Sequence, residues 1–140
     1  RVDELEITRR GGRLTLEYTF EAQGGEEMTV GLFPVRPGQR FAPLAQRTLP
    51  LYVDLPVAQT LRLRLTSARD FHTDGGAVRH AHEGDAYLFV RDIDADDDEV
   101  EVESALHIRG GVIEPRSYDA FGRWARRVDG AEQLRLTRRP

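Results

Sequence analysis

The stretch that decides the fold lies near the end of the chain, where residues 112–136 read VIEPRSYDAFGRWARRVDGAEQLRL. Pro115 has the backbone angle of a first helical turn. Apolar residues then recur at the spacing of one helical stripe, at Tyr118, Phe121, Ala125 and Val128. Gly130 is a residue type that commonly ends helices, and Leu134 and Leu136 alternate as in a strand. The stretch therefore predicts one helix, a stop at Gly130 and a final strand.

Upstream of this helix, apolar and polar residues alternate with a period of two, which is the pattern of half-buried strands. The clearest run is LRLRL at residues 61–65. Strands are predicted at residues 3–10, 13–21, 28–35, 49–53, 61–65, 78–82, 87–91 and 100–108. Residues 3–10 and 13–21 are expected to form one hairpin, and residues 78–82 and 87–91 another. Residues 87–90 are apolar on both faces, so this strand is expected to be central. Prolines and glycines predict an irregular segment at residues 36–46.

About eight short strands with regular turn signals predict a mainly β fold. The expected architecture is an antiparallel β-sandwich, immunoglobulin-like or related, with one C-terminal helix followed by a last strand. The helix is expected to cover one open end or edge and to bury Phe121 and Trp124. Tyr118 and Trp124 could stack on a ligand, but at helical spacing they are interpreted as packing residues. The helix arginines could bind an acidic partner, and they are interpreted as a solvated face.

Length and composition favour one domain, residues 1–140. The net charge of −4 argues against nucleic acid as a partner, and no apolar run approaches the roughly 18 residues of a membrane span. The absence of cysteine excludes a thiol nucleophile and Cys-ligated metal. The chain begins at Arg1 and its single methionine is Met28, which indicates a processed chain or a piece excised from a larger protein. We expect the excised piece. The oligomeric state is left open.

A His-x-His pair at His80 and His82 is the first candidate site. Alternate residues of a strand point to the same face, so the two imidazoles could ligate a metal together with His72 or Asp74. Two histidines on a solvent-facing hairpin arm are the alternative. If the pair does bind a metal, the chain could be a metal-dependent hydrolase; this is the least favoured of three hypotheses for its function.

An acidic segment from Asp92 to Glu99 is the second candidate. Asp92, Asp94, Asp96 and Glu103 have the spacing of Ca²⁺-loop positions 1, 3, 5 and 12, with Asp98 among them. Asp97 stands where such a loop needs glycine, and the flanks are strands. A loose Ca²⁺ site and a solvated acidic turn between strands both remain open. No resident cofactor is expected beyond such an ion.

Nucleophilic catalysis has little support in the sequence. The candidate hydroxyls are Ser67, Ser104 and Ser117, and none lies in a Gly-x-Ser-x-Gly elbow. The glycine pairs are interpreted as turn residues. The chain itself is therefore predicted not to be an enzyme.

The C-terminal motif resembles the end of a bacterial family. The residues that carry the resemblance are IEP at 113–115, SYDAF at 117–121, VDGA at 128–131 and LRL at 134–136, together with RTLPLYVDLP at 47–56 and the strand at 61–65. Proteins of that family have a β-rich N-terminal domain, a transglutaminase-like domain and a C-terminal β-sandwich domain. The resemblance covers residues 45–138. Residues 65–70 read LTSARD and lack the Pro and Gly of the family's turn.

The resemblance implies a noncatalytic accessory domain of a transglutaminase-like protein of the periplasm or cell envelope. Its expected partner is the upstream domain of the same polypeptide, against which it would pack or to which it would present substrate. The Cys-His-Asp set of that upstream domain has no counterpart in this chain. The alternative is an independent glycan- or peptide-binding module, with Ca²⁺ assistance from the acidic segment.

Overall fold

A computed structural model of the chain describes residues 2–21, 25–67, 71–73, 76–96 and 98–138. The fold is mainly β, with 55% of the described residues in strands and 17% in helices. The elements are β1 (Val2–Arg10), β2 (Arg13–Phe20), β3 (Glu27–Gly31), α1 (Pro37–Phe41), β4 (Leu51–Val53), β5 (Val57–Thr66), β6 (Phe71–Thr73), β7 (Val78–His82), β8 (Tyr87–Ala95), β9 (Glu99–Ile108), β10 (Gly111–Ile113), α2 (Pro115–Ala131) and β11 (Gln133–Arg138).

The largest sheet has four antiparallel strands in the order β5-β9-β8-β7. Alternation decides its two faces. The inward residues of β9, Val100, Val102, Leu106 and Ile108, are buried, whereas Glu101, Glu103 and His107 between them are half-buried or exposed. The prediction that residues 87–90 form a central strand is confirmed, because β8 lies between β9 and β7.

A second antiparallel sheet has the order β3-β11-β6, so the final strand of the chain is central in it. Its residues Leu134 and Leu136 are each 1% exposed. A small sheet pairs β10 with β4. These sheets and α2 share one apolar core, which agrees with the predicted β-sandwich that carries a C-terminal helix and then a strand.

The long helix α2 begins with Pro115 in its first turn and buries the predicted stripe. Phe121, Ala125 and Val128 are fully buried, and Trp124 is nearly so. The hydroxyl of Tyr118 donates a hydrogen bond to the Leu44 carbonyl, 3.1 Å away. The packing roles that the sequence predicted for these aromatic residues are confirmed.

The end of α2 corrects one prediction. Gly130 is not a left-handed stop, because the helix continues through it to Ala131 and is followed by Glu132 in right-handed helical geometry. The amide of Glu132 donates to the Val128 carbonyl, 2.9 Å away, as a further helical turn would require. Asp129 and Glu132, on either side of this glycine, accept hydrogen bonds from α1 and from Arg36.

The segment predicted to be irregular contains the short helix α1. Two amides at its start, those of Gly38 and Gln39, donate to the Asp129 carboxylate of α2 at 2.8 and 3.0 Å. These bonds satisfy N–H groups that a helix start leaves without an intrahelical partner. The carboxylate lies 90 residues away in sequence, so local sequence patterns could not have predicted this helix.

The strand predicted at residues 28–35 is shorter in the structure, because β3 ends at Gly31. Leu32 and Phe33 then leave the sheet and enter the core, where they are 5% and 8% exposed.

The predicted N-terminal hairpin is present as β1 paired with β2. None of its described residues is buried, and the two strands form a sheet of their own. This hairpin therefore adds nothing to the core of the sandwich.

Candidate functional site

The histidine pair lies on β7, the edge strand of the four-stranded sheet. His80 and His82 are both half-buried, and the residues on either side of each are exposed or at a turn. The His80 ring stacks on Phe89 with 6.4 Å between centroids, and the His82 ring lies 5.6 Å from Tyr87. Both imidazoles thus pack against aromatic side chains of β8.

The surroundings of His80 are electropositive. Burial lowers the pKa of His80, and the charges of Arg127 and Arg91 lower it further. The His80 carbonyl accepts a hydrogen bond from Trp124 Nε1 at 3.0 Å, which ties the edge strand to α2. His80 therefore holds its proton less tightly than an imidazole of ordinary pKa.

Neither of the proposed third ligands joins the pair in the described structure. His72 lies on β6 in the other sheet, and Asp74 falls outside the described residues. Among residues that the structure describes, no three His, Cys, Asp or Glu side chains are grouped closely enough to hold a metal ion.

The acidic candidates lie on a hairpin rather than along a loop. Strand β8 extends to Ala95 and β9 begins at Glu99, so Asp92 and Asp94 are strand residues opposite Glu103 and Glu101. The sequence predicted a loop over residues 92–99. In the structure the connection between the two strands is only residues 96–98, which include Asp96 and Asp98. Alternation in β8 places both strand aspartates on the exposed face. Asp97 falls outside the described residues.

The last acidic candidate, Glu103, has a cationic partner. Its carboxylate accepts a hydrogen bond from Arg62 Nε of β5 at 2.9 Å. Glu101 is bound in the same way by Arg64, with Nε 2.8 Å from the carboxylate oxygen. On the outer face of the sheet, the carboxylates of β8 and β9 thus lie side by side, and arginines of the neighbouring strand β5 pair with those of β9.

Two of the candidate serines, Ser104 and Ser117, form hydrogen bonds within the fold. Ser104 is 5% exposed and its hydroxyl donates to the Val90 carbonyl at 2.7 Å. The Ser117 amide donates to the Glu114 carbonyl in the first turn of α2.

A cavity of about 320 Å³ lies between the edge of β7 and α2, and the sequence did not predict it. Three arginines, the histidine pair and the single tryptophan line it: Arg79, His80, His82, Arg123, Trp124 and Arg127. The spacing of four residues that places Arg123 and Arg127 on one helical face was available in the sequence. The strand that faces them is set by the tertiary fold.

A buried carboxylate lies beyond the end of α2. Glu132 is fully buried, and Arg36 Nε donates to its Oε1 at 2.9 Å. Burial raises the pKa of Glu132; Arg36 lowers it, and the nearby Asp129 raises it, so that the net shift is upward. The folded protein therefore binds this proton more tightly than the unfolded chain does.

This shift predicts how stability depends on pH. The folded pKa of Glu132 lies above its ordinary value of 4.5. Protonation of Glu132 therefore stabilises the folded state fully below pH 4.5, and this stabilisation is lost as pH rises through the raised pKa. We expect Glu132→Gln to remove this dependence. The melting temperature of the variant relative to wild type should rise between about pH 4 and about pH 7.

Thermal melts of both proteins across this range check the expectation. Glu103→Gln is the matched control, because Glu103 forms an ion pair on the surface with its side chain 63% exposed. The direction of the pKa shift would be contradicted if the melting temperature of Glu132→Gln minus that of wild type stayed constant or fell with rising pH.

The hairpin carries seven of the twelve large hydrophobic side chains that are exposed in the described structure. Residues opposite each other in a ladder share a face, so Ile7 lies with Leu16 and Val2 lies with Phe20. The apolar residues of this face are Val2, Leu5, Ile7, Leu14, Leu16, Tyr18 and Phe20, with exposures from 36% for Phe20 to 61% for Val2; Arg9, opposite Leu14, lies at its end near the turn. We call these seven residues the hairpin face.

An irregularity in β1 completes this face. The register shifts between Asp3 and Glu6, and Glu4 has a positive φ of 52°. One extra residue in a strand reverses the side to which earlier residues point. Without the bulge Val2 would lie on the opposite side from Ile7; with it, Val2 lies opposite Phe20 and joins the apolar side.

The other side of the hairpin is polar. Its cross-strand pairs are Glu6 with Glu17 and Thr8 with Thr15. The hairpin is thus amphipathic, with one side suited to water and one that the described structure leaves uncovered.

No helix among the described residues has the length and apolar character needed to cross a membrane. Comparisons of the chain with protein-family models, with curated proteins and with solved structures found no match.

Proposed function

We propose that this chain is a noncatalytic accessory domain of a transglutaminase-like protein of the bacterial envelope. In this role it packs against the domain that precedes it in the polypeptide, or presents substrate to that domain. The motif resemblance over residues 45–138 supports the family. The uncovered hairpin face is the observation that carries the proposed role.

The energetics of the hairpin favour a partner. A two-stranded hairpin alone is at best marginally stable in water, because it buries too little apolar surface to offset its ordering entropy. Exposed apolar patches above about 300–600 Å² are uncommon on monomers and mark interaction sites. Seven large apolar side chains on one face of the hairpin are each at least 36% exposed, and they form such a patch. Docking of this face on a neighbouring domain would stabilise both the hairpin and the contact.

The parent gene provides the first test. We expect the reading frame before Arg1 to encode a domain with the Cys-His-Asp set of a transglutaminase. A frame that lacks such a domain would refute the proposed family context.

Hydrogen exchange provides the second test. In the full polypeptide we expect amides of β1 and β2 to exchange at least about tenfold more slowly than in the isolated 140-residue chain, because the hairpin face is covered. The double variant Ile7→Thr and Leu16→Thr should abolish the difference. Threonine keeps the strand preference of a β-branched residue while removing apolar surface.

The matched control changes the polar side of the same hairpin at a neighbouring pair, Glu6→Thr and Glu17→Thr. This control should leave the protection in the full polypeptide intact. Equal protection in the isolated and full-length proteins, or equal loss with both double variants, would argue against docking through the hairpin face.

A further inference from the structure

The cavity between β7 and α2 has the form of a small-ligand site. Its volume of about 320 Å³ is at the lower end of the range for ligand pockets. One wall is the open edge of a sheet, and the other is a helix face with the indole of Trp124, which is 4% exposed. The indole is held in place by its hydrogen bond to the His80 carbonyl. Both walls are regular elements, the strand β7 and the helix α2.

The charge of the lining has one sign. Three guanidinium groups line the cavity, from Arg79, Arg123 and Arg127, and none of its lining residues is acidic. Arg79 forms an ion pair with Asp85 at 2.6 Å, and Arg123 with Asp119 one helical turn earlier. Arg127 has no ion-pair partner within the described part of the chain.

A buried cation strengthens the positive potential. Arg91 is 7% exposed and donates to the Ala131 carbonyl at the end of α2, with no carboxylate partner in the described residues. Its charge and that of Arg127 both disfavour protonation of His80. Exposed ion pairs such as those of Arg79 and Arg123 are worth little, so an incoming anion can compete for those groups.

We propose that this cavity binds a small oxyanion, a carboxylate or a phosphate group, through the guanidinium groups of Arg127 and Arg123. Guanidinium presents N–H donors in a fixed fork that matches two oxygens of either anion. The nearly buried Trp124 indole borders the cavity beside these groups. The proposal is independent of the accessory role, because it uses a different surface from the hairpin face.

Trp124 is the single tryptophan of the chain and lies in the cavity, so its fluorescence reports binding. The test titrates the 140-residue protein with inorganic phosphate and, separately, with acetate at constant ionic strength. We expect a saturable change below about 10 mM of one anion or both. Tighter binding of phosphate identifies a phosphate ligand, and tighter binding of acetate identifies a carboxylate ligand.

Arg127→Gln should weaken the binding about tenfold, as expected for loss of a hydrogen bond to a charged group. Arg127→Lys should weaken it less than Arg127→Gln and fall short of wild type, because lysine keeps the charge but lacks the fork. Arg62→Gln is the control: it removes the same charge from the outer face of the sheet, where Arg62 pairs with Glu103.

Thermal melts of the three variants establish that each is folded before titration. Absence of a saturable response to either anion would overturn the proposal. Equal weakening by Arg127→Gln and Arg62→Gln would also overturn it, since the effect would then be one of net charge.

Discussion

Phe121→Ala should lower the free energy of unfolding by about 3–5 kcal/mol, the cost typical of deleting a buried aromatic ring. Phe121 is fully buried in α2, and its ring lies 5.2 Å from Tyr87 and 5.7 Å from Trp124 between centroids. The deletion leaves a cavity between the helix and the four-stranded sheet. Since domains are stable by only about 5–15 kcal/mol, this change removes a large part of the total.

Urea denaturation followed by Trp124 fluorescence and by far-UV circular dichroism measures the effect. Leu16→Ala on the hairpin face is the control, because Leu16 is 52% exposed and such surface changes usually stay within about 0.5 kcal/mol. A loss below about 1 kcal/mol for Phe121→Ala would mean that the helix does not pack on the sheet as described.

Gly38→Ala and Gly130→Ala should change stability in opposite directions. A Cβ at Gly38 would lie 2.5 Å from Asp129 Oδ2 and 3.2 Å from the Arg126 Cα atom, so either the Asp129 carboxylate or α1 must move. Because the same movement breaks the amide bonds to Asp129, we expect a loss of about 2–4 kcal/mol.

Gly130 is the matched case without a clash. It lies inside α2 at a φ that is not positive, and a Cβ there meets nothing within 4 Å. Alanine is better than glycine in a helix interior, so Gly130→Ala should raise the free energy of unfolding by about 0.5–1 kcal/mol.

Both glycine variants are compared with wild type by the same urea titrations. Destabilisation by Gly130→Ala would indicate a left-handed helix stop at this residue, as the local sequence suggests. A neutral Gly38→Ala would show that α1 is not fixed against α2.

The two proposals concern different surfaces of one fold. The hairpin face is apolar and offers contact area, whereas the cavity beside β7 is cationic and offers oriented donors. Apolar area supplies binding free energy without direction, and guanidinium forks supply direction. The first surface suits attachment to a neighbouring domain, and the second suits recognition of a small charged group.

Where the signal is periodic, the sequence predicted the fold well. The alternation in β5 and β9 specifies which residues face the core, because a strand turns successive side chains to opposite faces. The stripe from Tyr118 to Val128 specifies α2 for the same kind of reason. These elements required no knowledge of their partners.

Where one residue depends on a distant one, local patterns failed. Helix α1 exists in a proline-containing segment because Asp129 accepts from its first amides. The acidic positions at 92 and 94 suggested a loop, but pairing with β9 extends β8 through them. The cavity arises where β7 lies against Arg123 and Arg127, a contact that no local pattern encodes.

The sequence by itself determined the mainly β class, the faces of the central strands and the terminal helix and strand. These follow from residue period, which acts within a few positions of the chain. Only the tertiary structure decided that the hairpin face is left uncovered in the described structure, that three arginines line a cavity with the histidine pair, and that no three metal candidates are grouped among the described residues. Such features depend on which distant segments meet, and packing, rather than local backbone preference, sets those meetings.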